Sequence, residues 1–254
     1  MMIFLSITSL SIDFPMESHG TLGGYLFFET DVEHFIYGTI SNDVTVIRID
    51  DFSWHLGMSI DTYMGKSWNN PDMKFNIYGG HWNITTQFDI FLDPVLVRLY
   101  TDHECFHNID MRYTLSEYMK NIKLGVVYPT PSSFEYFDDP GWFPNSYPAG
   151  GVSIGLYRPS GDTFQKGHDF DWSMHGECDF QIIGFRSWLS GLRYYSDIYF
   201  HRDGDSSSRH RGELYLRYNG SVGMFETHIT HYFRDTQPFR SLEGESYWGV
   251  RFLW

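Results

Sequence analysis

The sequence predicts an all-β protein, a closed antiparallel barrel of about 12 strands that crosses a membrane. Three observations lead there. Phe, Trp and Tyr make up 19% of the 254 residues and Gly contributes 24, while only 20% are charged. No stretch approaches the roughly 18–20 consecutive apolar residues of a spanning helix, and mean hydropathy is negative. The apolar residues instead alternate with polar ones. In a spanning barrel only every second residue meets lipid, so overall hydropathy stays low while aromatic content rises.

The alternation is cleanest at the C-terminus, where Trp248, Val250, Phe252 and Trp254 share one face and Tyr247, Gly249 and Arg251 the other. It recurs as Leu214, Leu216 and Tyr218 against Glu213, Tyr215 and Arg217. A third case sets Leu192, Tyr194, Ile198 and Phe200 against Arg193, Tyr195, Asp197 and His201. Aliphatic and aromatic side chains outward with charges inward is the spanning pattern, because a small soluble barrel fills its interior with apolar groups. Strands are expected near 22–30, 34–41, 44–50, 52–65, 73–91, 95–107, 113–128, 150–158, 169–187, 191–202, 210–219, 221–234 and 245–254. Turn signals separate many of them, among them Asn42-Asp43, Asn69-Asn70-Pro71, Asp93-Pro94 and Asn219-Gly220.

No linker, charge block or repeat divides the chain, so residues 16–254 read as a single barrel. Residues 1–15 carry the apolar run Met1-Met2-Ile3-Phe4-Leu5 without preceding basic residues. They read as a clipped export signal or, alternatively, as an edge strand or plug. The segment 129–149 holds five of the ten prolines and cannot continue a ladder. It is expected to form a long extracellular loop. A net charge of −14 with 18 Lys and Arg argues against a nucleic-acid partner. Cys105 and Cys178 permit one disulfide or two free thiols, no cofactor is expected, and no sequence feature sets an oligomeric state.

The candidate chemistry lies in His103-Glu104-Cys105-Phe106-His107-Asn108-Ile109-Asp110, which follows Val95, Val97 and Leu99 on one rising strand. Unbroken alternation puts His103, Cys105 and His107 on the face of those aliphatics. Polar groups on a lipid-facing surface call for a headgroup-level site or a bulge. Glu117 lies twelve residues beyond Cys105, and a hairpin centred near Met111 would set the two opposite each other. His103, Cys105 and Glu117 would then supply base, nucleophile and orienting acid. Ile122, Leu124 and Val126 have the opposite parity to Glu117, so either a bulge lies near Lys120 or Glu117 belongs to the other face. The octet can equally close a strand into a solvated turn, and His103, His107 and Asp110 could ligate one metal ion.

The last ten residues resemble the assembly signal of bacterial outer-membrane proteins, which end on Phe or Trp. That resemblance implies an outer-membrane location and recognition of the strand ending in Trp254 by the barrel-assembly machinery. The His-x-Cys with Glu117 twelve residues on is similar to the His-x-Ser and Glu of outer-membrane lipid A deacylases, and to the His-x-Ser of outer-membrane phospholipase A. The octet itself resembles the His-x-Ser-Ser-His-x-Gly-Asp signature of a barrel family of unknown function. His103, His107 and Asp110 match it, while Cys105, Phe106 and Ile109 depart from it. These resemblances imply a lipid acyl-ester hydrolase with outer-membrane lipids or lipopolysaccharide as partner. A non-catalytic structural barrel or a small porin-like channel is the alternative.

Overall fold

The computed structural model describes residues 12–28, 35–65, 76–108, 117–128, 149–158, 170–237 and 241–254. A two-residue strand β1 (Ile12–Asp13) is followed by β2 (Glu17–Phe27), β3 (Ile36–Ile49), β4 (Phe52–Gly65), β5 (Asn76–Leu92), β6 (Val95–Asn108) and β7 (Glu117–Tyr128). The second half comprises β8 (Ala149–Tyr157), β9 (Phe170–Phe185), β10 (Trp188–His201), β11 (Ser206–Gly220), β12 (Gly223–Asp235) and β13 (Ser246–Leu253). From β2 to β13 each strand pairs antiparallel with its sequence neighbour, and β13 pairs with β2 to close the sheet. The result is a 12-strand barrel, with β1 attached to the end of β3 through Ile12↔Ile49 and Asp13↔Arg48. Closure leaves the barrel strands without a free edge, the condition for placing strands in hydrocarbon.

Alternation divides the side chains as expected. Leu22, Leu56, Ile84, Leu124, Ile154, Leu192, Leu214 and Ile229 are exposed on the outer wall. Aromatic pairs border this belt, with Phe52 beside Phe88, Trp188 beside Tyr218 and Phe252 beside Trp254 at one end, and Trp172 stacked on Phe200 at the other. Inside, Arg193, Glu213, Arg217, Glu226, Asp179 and Lys123 are buried. A closed sheet with an apolar belt, aromatic borders and a charged interior is an outer-membrane β-barrel.

Two sequence expectations need correction. Asn42-Asp43 does not turn the chain. β3 runs straight through it, with Asn42 paired to Gly20 and Met58 and Asp43 to His19 and Gly57. Asp43 is an inward residue that bonds His55, so a polar lumen position imitates a turn signal. The proline-rich segment was expected at the long-loop end. Its anchors, Tyr128 and Ala149, instead open at the end that carries the short turns Asp50-Asp51, Asp93-Pro94, Arg186-Ser187 and Ser221-Val222. Residues 129–148 themselves, like residues 1–11, lie outside the described residues.

The lumen is packed unevenly. Against β9–β13, Arg193 reaches Glu226 (2.7 Å), Glu213 (2.5 Å) and Asp179 (2.7 Å). Arg217 holds Glu226 at 2.8 Å and Arg251 holds Glu213 at 2.5 Å, while Tyr215 donates to Asp179 at 2.8 Å. Arg193 also lies over the Tyr215 ring, 3.9 Å from its centroid. Gly249 is required beside this cluster, because a Cβ there would stand 2.4 Å from Tyr25 and 2.6 Å from His228. At the loop end the interior holds two apolar groups, Tyr25, Phe27, Tyr232, Leu242 and Tyr247 in one and Met119, Tyr157, Phe170 and Tyr199 in the other, and members of both line a cavity of about 230 Å³. Leu242 is drawn in from the β12–β13 connection, whose backbone donates through Leu242 and Gln237 to the Asp235 carboxylate.

Candidate functional site on the outer wall and in the lumen

β6 carries the candidate octet up the outer wall. Its inward residues are Leu96, Arg98, Tyr100, Asp102, Glu104 and Phe106, a set fixed by the buried Leu96 and Asp102. His103, Cys105 and His107 therefore stand on the outer face, with period 2 unbroken from Val97 and Leu99. His103 Nε2 lies 3.0 Å from Cys105 Sγ, so base and nucleophile candidates are in contact. His107 tilts against Trp82, ring centroids 5.3 Å apart.

The register does not set Glu117 opposite Cys105. Cys105 pairs with Tyr118, and Glu117 with Phe106. A one-residue offset moves a strand position to the other face of the sheet, so the Glu117 backbone position shares the face of Phe106, whose ring is stacked on His81 inside the barrel. No register shift interrupts the β6–β7 ladder, so of the two alternatives the bulge near Lys120 is absent, the parity of Ile122, Leu124 and Val126 holds throughout, and the Glu117 position belongs to the other face. The Glu117 side chain and the whole of Asp110 lie outside what is described. Among the described residues no group of three or more His, Cys, Asp or Glu side chains is placed to hold a metal ion. Cys105 and Cys178 are both free.

The lumen holds two arrangements that motif reading passed over. Ser53 Oγ lies 2.7 Å from His55 Nε2, and His55 Nδ1 lies 3.0 Å from Asp43 Oδ1. Ser173 Oγ lies 2.7 Å from His175 Nε2, and His175 Nδ1 lies 2.8 Å from Asp197 Oδ1. Each is a Ser-x-His along one strand with the Asp on a neighbouring strand. The i, i+2 spacing was the available signal, since it places Ser and His on one face. Both serines are 0% exposed, so neither hydroxyl is open to a substrate. These chains order the lumen; they lack the accessible nucleophile that triad chemistry needs. His175, read in the sequence beside Cys178, points inward while Cys178 has outward parity. A cavity of about 340 Å³ adjoins the first chain, lined by His19, Asp43, His55, Gln87, Asp89 and Arg98.

No protein-family model matches the chain, and no curated protein matches it in sequence. Solved barrels are similar in outline. Salmonella typhi OmpF in complex with daunomycin is 8% identical over 96% of this chain and 97% of that chain, with a TM-score of 0.43. The outer-membrane expressed OmpT of Vibrio cholerae is 7% identical over 96% and 98%, also at 0.43. A barrel solved in work on in-meso crystallisation of membrane proteins is 9% identical over 93% and 83%, at 0.47.

Proposed function

We propose that this barrel works from its lipid-facing wall and is not an open diffusion pore. The observation that carries the reading is the interlocked cluster of Arg193, Arg217 and Arg251 with Asp179, Glu213 and Glu226, which occupies the lumen beside β9–β13. A fully partnered network of buried charges resists opening, because moving one side chain leaves others unpaired. Purified protein in planar bilayers should therefore give no large, stable single-channel steps. Porin-sized steps would overturn the reading.

A more specific reading is favoured by the 3.0 Å contact between His103 and Cys105 on the outer face. In it the chain is an acyl-ester hydrolase of membrane lipids, in line with the similarity of His103-x-Cys105 to the His-x-Ser of outer-membrane phospholipase A. His103 takes the thiol proton as Cys105 sulfur bonds to the ester carbonyl carbon. The carbonyl–alkoxide bond breaks, the alkoxide leaves with the proton from His103, and water then cleaves the thioester to free fatty acid and restore the thiol. Fatty-acid release from phospholipid vesicles should vanish in Cys105→Ala and His103→Ala and persist in Cys105→Ser. Glu117→Ala should leave release unchanged, because the Glu117 backbone position shares the inner face with Phe106 while the dyad stands on the outer face. Unchanged release in Cys105→Ala, or none from the wild type, would remove the hydrolase and leave the non-catalytic barrel.

A further inference from the structure

Across β6, β7 and β8 the outward positions form horizontal rows set by the strand registers. They read Val97, Val126 and Val152, then Leu99, Leu124 and Ile154, then Thr101, Ile122 and Leu156. The next row, toward the long-connection end, is His103, Lys120 and Arg158: His103 pairs with Lys120, and the Arg158 amide donates to the Lys120 carbonyl at 3.0 Å. The change from a wall that is apolar apart from Thr101 to a basic row happens in one step on three adjacent strands. Lys120 and Arg158 are exposed. Cys105 lies one row above, and on the β5 side Trp82, opposite Cys105, is 52% exposed.

We propose that this row is a docking site for the head of a diphosphorylated glycolipid, with its acyl chains lying on the apolar rows below. Neighbouring strands are about 4.8 Å apart, so the Lys120 and Arg158 charges, with the His103 imidazole as a hydrogen-bonding partner beside them, present a row of roughly 10 Å, a span that suits two phosphates better than one. A basic row on the border of the hydrocarbon meets phosphate where water is scarce, which strengthens the attraction relative to bulk solvent. The apolar rows below supply the matching surface for acyl chains, so charge and hydropathy together select a lipid over a soluble anion. The site adjoins the His103–Cys105 dyad and names the lipid class for the proposed hydrolase, although docking itself does not depend on catalysis.

The test is calorimetric titration of detergent-solubilised, full-length barrel with diphosphorylated lipid A and with its monophosphorylated form. The diphosphorylated lipid should bind more tightly, and the preference should shrink as salt is raised. The double variant Lys120→Ala/Arg158→Ala should weaken binding at least about tenfold. Arg202→Ala removes one basic charge from a turn away from the row and should leave binding unchanged. Heat-modifiable gel migration establishes that each variant is folded. Equal affinity of the double variant and the wild type, or no preference between the two lipids, would overturn the proposal. Cys105→Ala separates the two readings: retained binding with lost hydrolysis supports both, while binding by a wild-type protein that releases no fatty acid supports docking and removes only the hydrolase.

Discussion

The lumen wall of β9–β13 and the lumen wall of β2–β6 are built from similar residue types and packed in opposite ways. On the first, Arg193, Arg217 and Arg251 are saturated by three carboxylates and pinned by the Tyr215 ring. On the second, Asp89 is held by Arg98 at 2.9 Å, but Asp43 keeps 37% of its side chain exposed beside a cavity of about 340 Å³. The difference shows that a polar lumen is not by itself a water path: direction and spacing of the charges decide whether they close on one another or face space.

That contrast is testable first at its strongest point. Removing Glu226 strips a partner from the buried Arg193 and Arg217 and from the partly buried Arg251, so Glu226→Ala should destabilise the barrel by about 3–5 kcal/mol, the usual consequence of orphaning a buried charge. Asp43→Ala removes a half-exposed partner that water in the cavity can replace, and should change stability by less than about 1 kcal/mol. Urea unfolding in lipid vesicles, followed by tryptophan emission and by heat-modifiable migration, measures both. Similar losses in the two variants would mean that the walls are equally rigid.

Glycines probe the same contrast through shape instead of charge. A methyl at Gly249 would press on the Tyr25 and His228 rings, which are enclosed by Tyr37 and Tyr247 and have nowhere to move. Gly249→Ala should cost about 1–3 kcal/mol, as overpacking of a filled interior does. A methyl at Gly57 would meet the Thr85 hydroxyl and Asp43, both lining the cavity. Those side chains can swing into the open space, so Gly57→Ala should stay below about 1 kcal/mol. The same unfolding experiment reads the pair.

How far these features were legible in the sequence follows from which ones are local. Outward and inward sets on β10, β11 and β13 could be read because a period of two separates the faces within one strand. Features that depend on a second strand could not. Prolines and length mark 129–148 as a connection, but the end it leaves from is set by the number of strands before it, and taking Asn42-Asp43 as a turn adds one to that number. The Cys105–Glu117 pairing failed by one residue, because the register between two strands is a relation across the sheet that the spacing of residues along the chain does not fix. The His103–Cys105 contact survived since both lie on β6. The Ser-x-His chains were half visible: serine and histidine share a strand, but the aspartate that completes each belongs to a neighbour.

The smallest expected effect separates those two chains. Ser173 packs against Gly155, where a Cβ would come within 2.7 Å of its hydroxyl, and it does not border the cavity. Ser173→Ala leaves His175 Nε2 without its 2.7 Å partner in a place that water does not readily reach, so a loss of about 1–2 kcal/mol is expected. Ser53 makes the same 2.7 Å bond to His55, but His55 lines the cavity and has Asp89 within 3.8 Å of the same nitrogen. Water or a small shift of Asp89 can take the place of the lost hydroxyl, so Ser53→Ala should cost only about 0.5 kcal/mol. The urea midpoints of the two single variants and of the double variant measure this. The sites lie on separate walls, so their effects should add. Equal losses at Ser53 and Ser173 would show that the cavity beside His55 is closed to water, and the proposed contrast between the two walls would then rest on the arginine cluster alone.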